Sequence, residues 1–334
     1  AGWSSFAAFL NSLIPLPNPF INSGIFLPPK SNNTIAKIRN QNNQTSSSTG
    51  TVNGISLNLY SINYAVSAIV SNNTISDLTI ANSNQYNDYR ASVIGINDYN
   101  NYTYSPLVSQ TISNNTIFNL SNTSSDFSGS IIGLYLSGPN SRNVANANFV
   151  YGLSAPGTSS IAASLYGAKV DNGSFRITNN IFALGGNTKS NLYGLYIRTG
   201  TLMDTYVSYN TIQISGSVAA GTNSSTAIYI ADKTSIRDIR NNIFSNTRST
   251  TGGTNLHYAY YMPSITGTGA FTSNYNNFIA SGTGGKLGYF NGLYITNPNI
   301  TGVDANSIST PAGFGSDLTL KSSFESTASM PAVS

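Results

Sequence analysis

The chain has 334 residues, of which 40% are hydrophobic and only 8% charged, with a net charge of +4 and no cysteine. That hydrophobic share supports a core and excludes the low-hydrophobicity, high-charge signature of disorder. The 15 Lys and Arg are scattered, which argues against nucleic acid as a partner, and the missing cysteine rules out disulfides and thiolate metal sites. Polarity comes instead from uncharged hydrogen-bonding side chains, 45 of them Asn. No apolar stretch reaches the roughly 18 residues of a membrane span, so no membrane insertion is expected.

Residues 1–30 read as a short helical or extended cap, linker or assembly segment. Trp3, Phe6, Leu10 and Leu13 fall at helical spacing before the Pro15, Pro17 and Pro19 break. Trp3, Phe6 and Phe9 are its candidate assembly contacts. The segment lacks a basic leading region, so it does not read as a signal peptide.

From residue 31 onward one phrase recurs. SNNTI stands at 31–35, 71–75 and 113–117, followed by NANFV (146–150), TNNIF (178–182), SYNTI (208–212), RNNIF (240–244) and YNNFI (275–279). Their third residues are Asn33, Asn73, Asn115, Asn148, Asn180, Asn210, Asn242 and Asn277, spaced by 40, 42, 33, 32, 30, 32 and 35 residues. A fixed phrase at such a period marks stacked supersecondary units. A second family of phrases alternates with it: GISLNLY, SVIGIND, IIGLYLSG, SLYGAKV, LYGLYIRTG, TAIYIAD, YAYYMPS and, last, GLYITN at 292–297. Both are rich in β-branched and aromatic residues bounded by turn formers, so both read as short strands.

The offset inside the Asn phrase requires a bend. Apolar pairs such as Val70 and Ile75, Ile112 and Ile117, Val207 and Ile212, and Ile239 and Phe244 lie five residues apart. In one unbroken strand an odd offset places them on opposite faces. A kink between them lets both point inward, and Asn is the non-glycine residue best suited to the left-handed conformation such a kink needs. The fold expected is therefore all-β, a right-handed parallel β-helix (solenoid) of about eight coils over 31–320, with 321–334 as a tail or linker. The eight Asn would stack as a corner ladder, and at about 4.8 Å per coil the rod spans roughly 40 Å.

Candidate chemistry is sparse. The eleven acids are never closer than six residues in sequence, so a catalytic carboxylate pair or metal cluster requires acids brought together from different coils, and no catalytic or metal-binding residue is assigned. His257 is the only histidine and reads as a packed residue. Tyrosines are more suggestive: Tyr86, Tyr89, Tyr99, Tyr102 and Tyr104 crowd one stretch, and Tyr258, Tyr260 and Tyr261 another. Exposed rings among Asn suit contact with sugars or protein. A Thr array for ice binding is interrupted at Ile181, Ile243 and Phe278.

The stretches NNIFSNTRSTTGGTNLHYAYYM (241–262), TSNYNNFIASGTGGKLGYFNG (272–292), TGVDANSIS (301–309) and SDLTL (316–320) resemble the pectate-lyase-like β-helix regions of very large, type IX-secreted surface proteins of Bacteroidota. The resemblance implies a right-handed coil, an extracellular or cell-surface location, and roles in adhesion or appendages. The acids and bases of true pectate lyases map onto no position here. The sequence expectation is a non-enzymatic structural or adhesive module without cofactors. Its partners would be copies or other segments of the same protein, with glycans or another cell's surface as contacts. The rival is a carbohydrate-active enzyme or carbohydrate-binding module on the same scaffold, which requires a groove holding two carboxylates beside tyrosines.

Overall fold

The computed structural model describes residues 25–26, 30–40, 50–57, 66–99, 109–138, 143–156, 162–219, 223–300 and 303–311. Of the expected segment 1–30, residues 1–24 and 27–29, with Trp3, Phe6 and Phe9, lie outside them, as do Tyr102, Tyr104 and residues 312–334, which include the expected tail 321–334. Among the described residues there is no helix, and the strands form three nine-stranded sheets and one small sheet of two, Ser217–Ala219 with Ser249–Thr251. Each coil after the first adds one parallel strand to each of the three large sheets. The first coil gives two short strands to each of the first and second sheets, and the ninth strand of the third sheet folds back antiparallel at the far end. The third coil, for example, contributes Ser109–Ser113, Thr116–Asn122 and Ser130–Ser137. Neighbouring coils pair in parallel throughout, which makes the molecule a parallel β-helix of eight coils. Ile25–Phe26 already pairs with the second coil, so the first sheet begins before residue 31.

The apolar pairs on either side of each corner point inward: Val70, Ile75, Ile112, Ile117, Val207, Ile212, Ile239 and Phe244 are all fully buried. The kink that permits this falls on the residue before each ladder Asn. Asn32, Asn72, Asn114, Ala147, Asn179, Tyr209, Asn241 and Tyr275 have φ between 54° and 60°. The Asn that follows is extended and forms the ladder. Asn148, for example, donates its backbone N–H and its Nδ2 to Asn180 Oδ1, both at 2.9 Å, and a second Nδ2 bond to Ile112 O at 2.9 Å. The same bonds join Asn33, Asn73, Asn115, Asn180, Asn210 and Asn242 in succession. Division of labour explains why Ala and Tyr are tolerated at three kinks: a left-handed non-glycine residue costs about 1–2 kcal/mol, and the buried amide bonds that follow hold it in place.

The last rung differs from the sequence expectation. Asn242 bonds to Asn276 Oδ1 at 3.0 Å, so Asn276 takes the ladder position and Tyr275 the kink. Asn277 sits one residue further, in the strand, with its Nδ2 on Thr310 O. Beyond it the ladder ends in a cap: Asn276 N donates to Ser307 Oγ at 2.9 Å, and Ser273, Asn276 and Ser307 all donate to Asp304 Oδ1. The eighth strand of the third sheet is Gly285–Phe290, while Leu293–Ile295, from the GLYITN phrase, turns back antiparallel along it.

The glycines of the third-sheet phrase have a packing reason. A Cβ on Gly133 would lie 2.3 Å from Val150 Cγ1, and one on Gly194 would lie 2.1 Å from Ile212 Cγ2. Bare backbone there lets the second-sheet residue of the next coil fill the interior.

Candidate functional site

Outward residues of the third sheet fall into register one coil apart. Asn97, Tyr135, Lys169, Tyr196, Tyr229, Tyr261 and Tyr289 form one such column. Tyr196, Tyr229, Tyr261 and Tyr289 stack face to face, with centroids 4.6, 5.3 and 5.0 Å apart. Tyr166, Tyr193 and Tyr258 line a neighbouring row, edge-on to it. Rings stacked on one another present edges and hydroxyls to solvent, so the column is a hydroxyl-fringed strip and not a set of open platforms.

The regular column stops at Lys169, and a cleft of about 680 Å³ opens there. Its lining includes Asp88, Tyr89, Tyr99, Tyr135, Lys169, Asp171, Tyr196 and Arg198. Loop 82–90 forms one wall and is well anchored. Tyr86 O accepts from Ser130 N, Tyr89 O accepts from Asn97 Nδ2, and Lys169 Nζ donates to Asn87 O across 82 residues of chain. Asp171 sits at the floor, accepting from the Tyr135 phenol at 2.8 Å and Arg198 Nη1 at 3.3 Å, with Lys169 Nζ 3.7 Å away. Asp88 pairs with Arg90, whose guanidinium lies 4.1 Å from the Tyr86 ring centroid. Burial opposes ionisation of Asp88, but the Arg90 hydrogen bonds and charge outweigh it and hold the carboxyl below its ordinary value. Burial likewise lowers the Lys169 ammonium, against the pull of Asp171 and Asp88.

The cleft therefore holds two carboxylates and several tyrosines, a combination hidden in the sequence because Asp88 and Asp171 lie 83 residues apart. Asp171 accepts from Tyr135 and Arg198 beside Lys169, and Asp88, held below its ordinary value by Arg90, is not arranged as a proton donor. Glycoside hydrolysis needs one carboxylic acid kept protonated by its surroundings.

Of the tyrosines expected at a binding surface, Tyr89 and Tyr99 stack at 3.8 Å on the cleft wall and Tyr86 lies under Arg90. Tyr261 belongs to the column. Tyr258 is buried, and Tyr260 points into the core against Phe278, because the residue after Ala259 resumes the inward alternation. Both are corrections to the expected surface. Tyr166, Tyr193, Tyr196, Tyr229 and Tyr289 were not anticipated. A signal existed: in most coils the outward column residue lies two positions after the small residue of the third-sheet phrase, as in GLY (133–135), GAK (167–169), GLY (194–196) and AIY (227–229).

His257 is fully buried, with Nδ1 2.9 Å from Ser225 Oγ and Nε2 2.9 Å from Thr250 Oγ1. Burial and the nearby Arg248 charge lower its pKa to about 4. The Ser225–His257 pair has the contact of a nucleophile and its base, yet both residues are sealed in the core, where no substrate reaches them. Asp98 is another interior polar group. It stands in register with Leu57 and Leu136, its carboxyl facing Gln110, and burial raises its pKa well above the ordinary carboxylate range. Among the described residues no group of three or more His, Cys, Asp or Glu is placed to hold a metal ion. No family model matches the chain, and no curated protein or solved structure matches it significantly.

Proposed function

We propose that the chain is a non-enzymatic structural and adhesive module of an extracellular bacterial surface protein or filament. It would supply a stiff rod and a contact face to copies or other segments of the same protein. The observation that carries this reading is the unbroken ladder from Asn33 to Asn276, which locks every coil to the next through side-chain amide bonds, buried from Asn73 onward. Such a solenoid resists bending because each coil is bonded to both neighbours along three sheets. The tyrosine column on one sheet supports the adhesive half of the proposal, since aromatic side chains with a polar tip are enriched at protein contacts.

The test is a cleavage assay on neutral and acidic polysaccharides, paired with electron microscopy of the native surface. The reading expects no turnover and short rods within a longer fibre. Turnover abolished by Asp171→Asn or Asp88→Asn would overturn it in favour of the enzyme.

A further inference from the structure

We infer that the buried guanidinium of Arg248 holds a small monovalent anion inside the solenoid, at the corner between the second and third sheets. The site is separate from the cleft and independent of the rod reading. Three observations carry it.

The first is a cation without a counter-charge. Arg248 is fully buried, and its Nη1 and Nη2 reach back two coils to Ser190 O, at 3.2 Å, and to Thr188 O. Both acceptors are neutral carbonyls. The acids of coils 5–7, residues 175–262, are Asp204, Asp232 and Asp238. Each is engaged elsewhere: Asp204 with Ile236 N, Asp232 with Thr234 N and Arg237, and Asp238 with Arg240. Residues 220–222, which lie outside the described residues of these coils, are Ala, Gly and Thr. Burial lowers Arg248 to about 10, and no carboxylate opposes the shift. At pH 7 the guanidinium still carries its charge.

The second is a contrast within the same fold. Arg237 is buried as completely, yet its guanidinium donates to Asp232 O, Met203 O, Thr205 Oγ1 and Ile236 O, and lies 4.0 Å from the Asp232 carboxylate. The charges of Asp232 and Asp204 support it against burial. The chain therefore gives one buried arginine a counter-charge and withholds it from the other. An ion buried alone is strongly unfavourable, so the balancing charge at Arg248 comes from outside the chain.

The third is a set of donors left open. Arg248 Nε, Ser190 Oγ and the Asn255 side-chain amide are buried and have no hydrogen-bond partner among the described residues. Register brings them to one corner: Ser190 and Asn255 stand two residues before Leu192 and His257, which flank Ser225 in the third sheet. A guanidinium N–H, a hydroxyl and an amide NH2 can all donate. A water would accept from them but leave the charge bare, whereas an anion answers both needs. Arg248, Ser190 and Asn255 are each at most 3% exposed, which suits a single small ion and excludes a chain-like ligand.

Urea denaturation of the full chain at constant ionic strength, with sodium chloride exchanged for sodium gluconate, tests the assignment. Unfolding releases the ion, so even a sealed site reports. Above the dissociation constant, each tenfold rise in chloride should lower the unfolding equilibrium constant about tenfold. The dependence should vanish in Arg248→Met, set in at higher chloride in Ser190→Ala, and persist in Arg198→Ala, which removes an exposed arginine. Crystals of the chain purified and grown in sodium bromide should show an anomalous peak in contact with Arg248 Nε and none at Arg237. The inference is overturned if chloride leaves the unfolding constant unchanged, if Arg248→Met responds as the parent chain does, or if the bromide peak is missing at Arg248 or equally strong at Arg237. Should Arg248→Met fail to fold, Ser190→Ala and the bromide peak still decide.

Discussion

The first four coils and the last four share a frame but differ in what hangs on it. In coils 1–4 the second-sheet strand has an additional left-handed kink, at Lys37, Asp77, Asn119 and Gly152. From coil 5 onward that strand shortens to four residues, as in Ile181–Leu184 and Thr211–Ile214, and the kink is gone. The two sets of kinks have very different support. The extra one is at the surface, and its side-chain bond is Asn119 Nδ2 to Asp77 Oδ1 at 3.0 Å, whereas the ladder amides are buried from Asn73 to Asn276. A left-handed corner can occur wherever local sequence permits it, but it persists through every coil only where a buried amide on the next residue fixes it. The wide coils also supply the cleft wall, from loop 82–90, while the compact coils supply the stacked tyrosines. Variation is confined to loops and outward faces, which is where a solenoid changes without disturbing its core.

The strongest way to break this comparison is to remove a rung from each half. Asn115→Ala and Asn180→Ala each strip buried amide bonds from two adjoining coils, and each should cost about 3 kcal/mol or more in chemical denaturation. Similar losses are expected despite the different coil widths; a loss in one half only would mean that the frame is not shared. Asn33→Ala, at the exposed first rung, should cost far less.

Gly133→Ala comes next. Its new Cβ would lie 2.3 Å from Val150 Cγ1 and 2.5 Å from Gly167 O, so destabilisation by about 2 kcal/mol is expected from overpacking. The same position is natively Gly194 in the fifth coil but Ala227 and Ala259 in the sixth and seventh, so a tolerated Gly133→Ala would show that the third coil packs no more tightly there than the sixth and seventh do.

Asp98→Leu reverses the sign. Leu57 and Leu136 flank the position in register, and a leucine there should stabilise the wide half by about 1–2 kcal/mol at pH 7. Because the folded state holds the Asp98 proton more tightly than the unfolded chain does, native stability falls as pH rises from about 3.8 through the elevated folded value. The gain from Asp98→Leu should therefore shrink as the pH is lowered toward 3.8. Tyr229→Ala, which removes one stacked ring from the compact half, should cost about 1 kcal/mol.

His257 provides the gentlest test. Its folded pKa of about 4 lies below the ordinary 6.5, so its contribution is complete above 6.5 and is lost as the pH falls toward 4. Stability measured from pH 7 to pH 4 should show that loss in the parent chain and not in His257→Gln.

Much of the frame was legible in the sequence because it repeats. The Asn spacing and the five-residue apolar offset together imply strand, corner and strand, and the buried pairs lie where that geometry requires. The last rung was misplaced by one residue for a physical reason. The doublet Asn276–Asn277 looks like the earlier Asn–Asn phrases, but here Tyr275 takes the left-handed position and shifts the ladder to Asn276. The cleft was not legible, since Asp88, Lys169, Asp171 and Arg198 come from three different coils and meet only through inter-coil register and a loop folded across two coils. The tyrosine column was half legible: clustering drew attention to Tyr258, Tyr260 and Tyr261, whereas exposure is decided by position relative to the small residue of each strand.

The central claim is that one buried ladder ties both halves into a single rod. Hydrogen exchange of the backbone amides of Asn73, Asn115, Asn148, Asn180, Asn210 and Asn242 tests it most directly, because each donates to the side chain of the following rung. The account predicts that these six exchange together and among the slowest in the chain, with Asn180→Ala accelerating its neighbours in both halves. Exchange as fast as in the exposed turns, or at unrelated rates in the two halves, would contradict it.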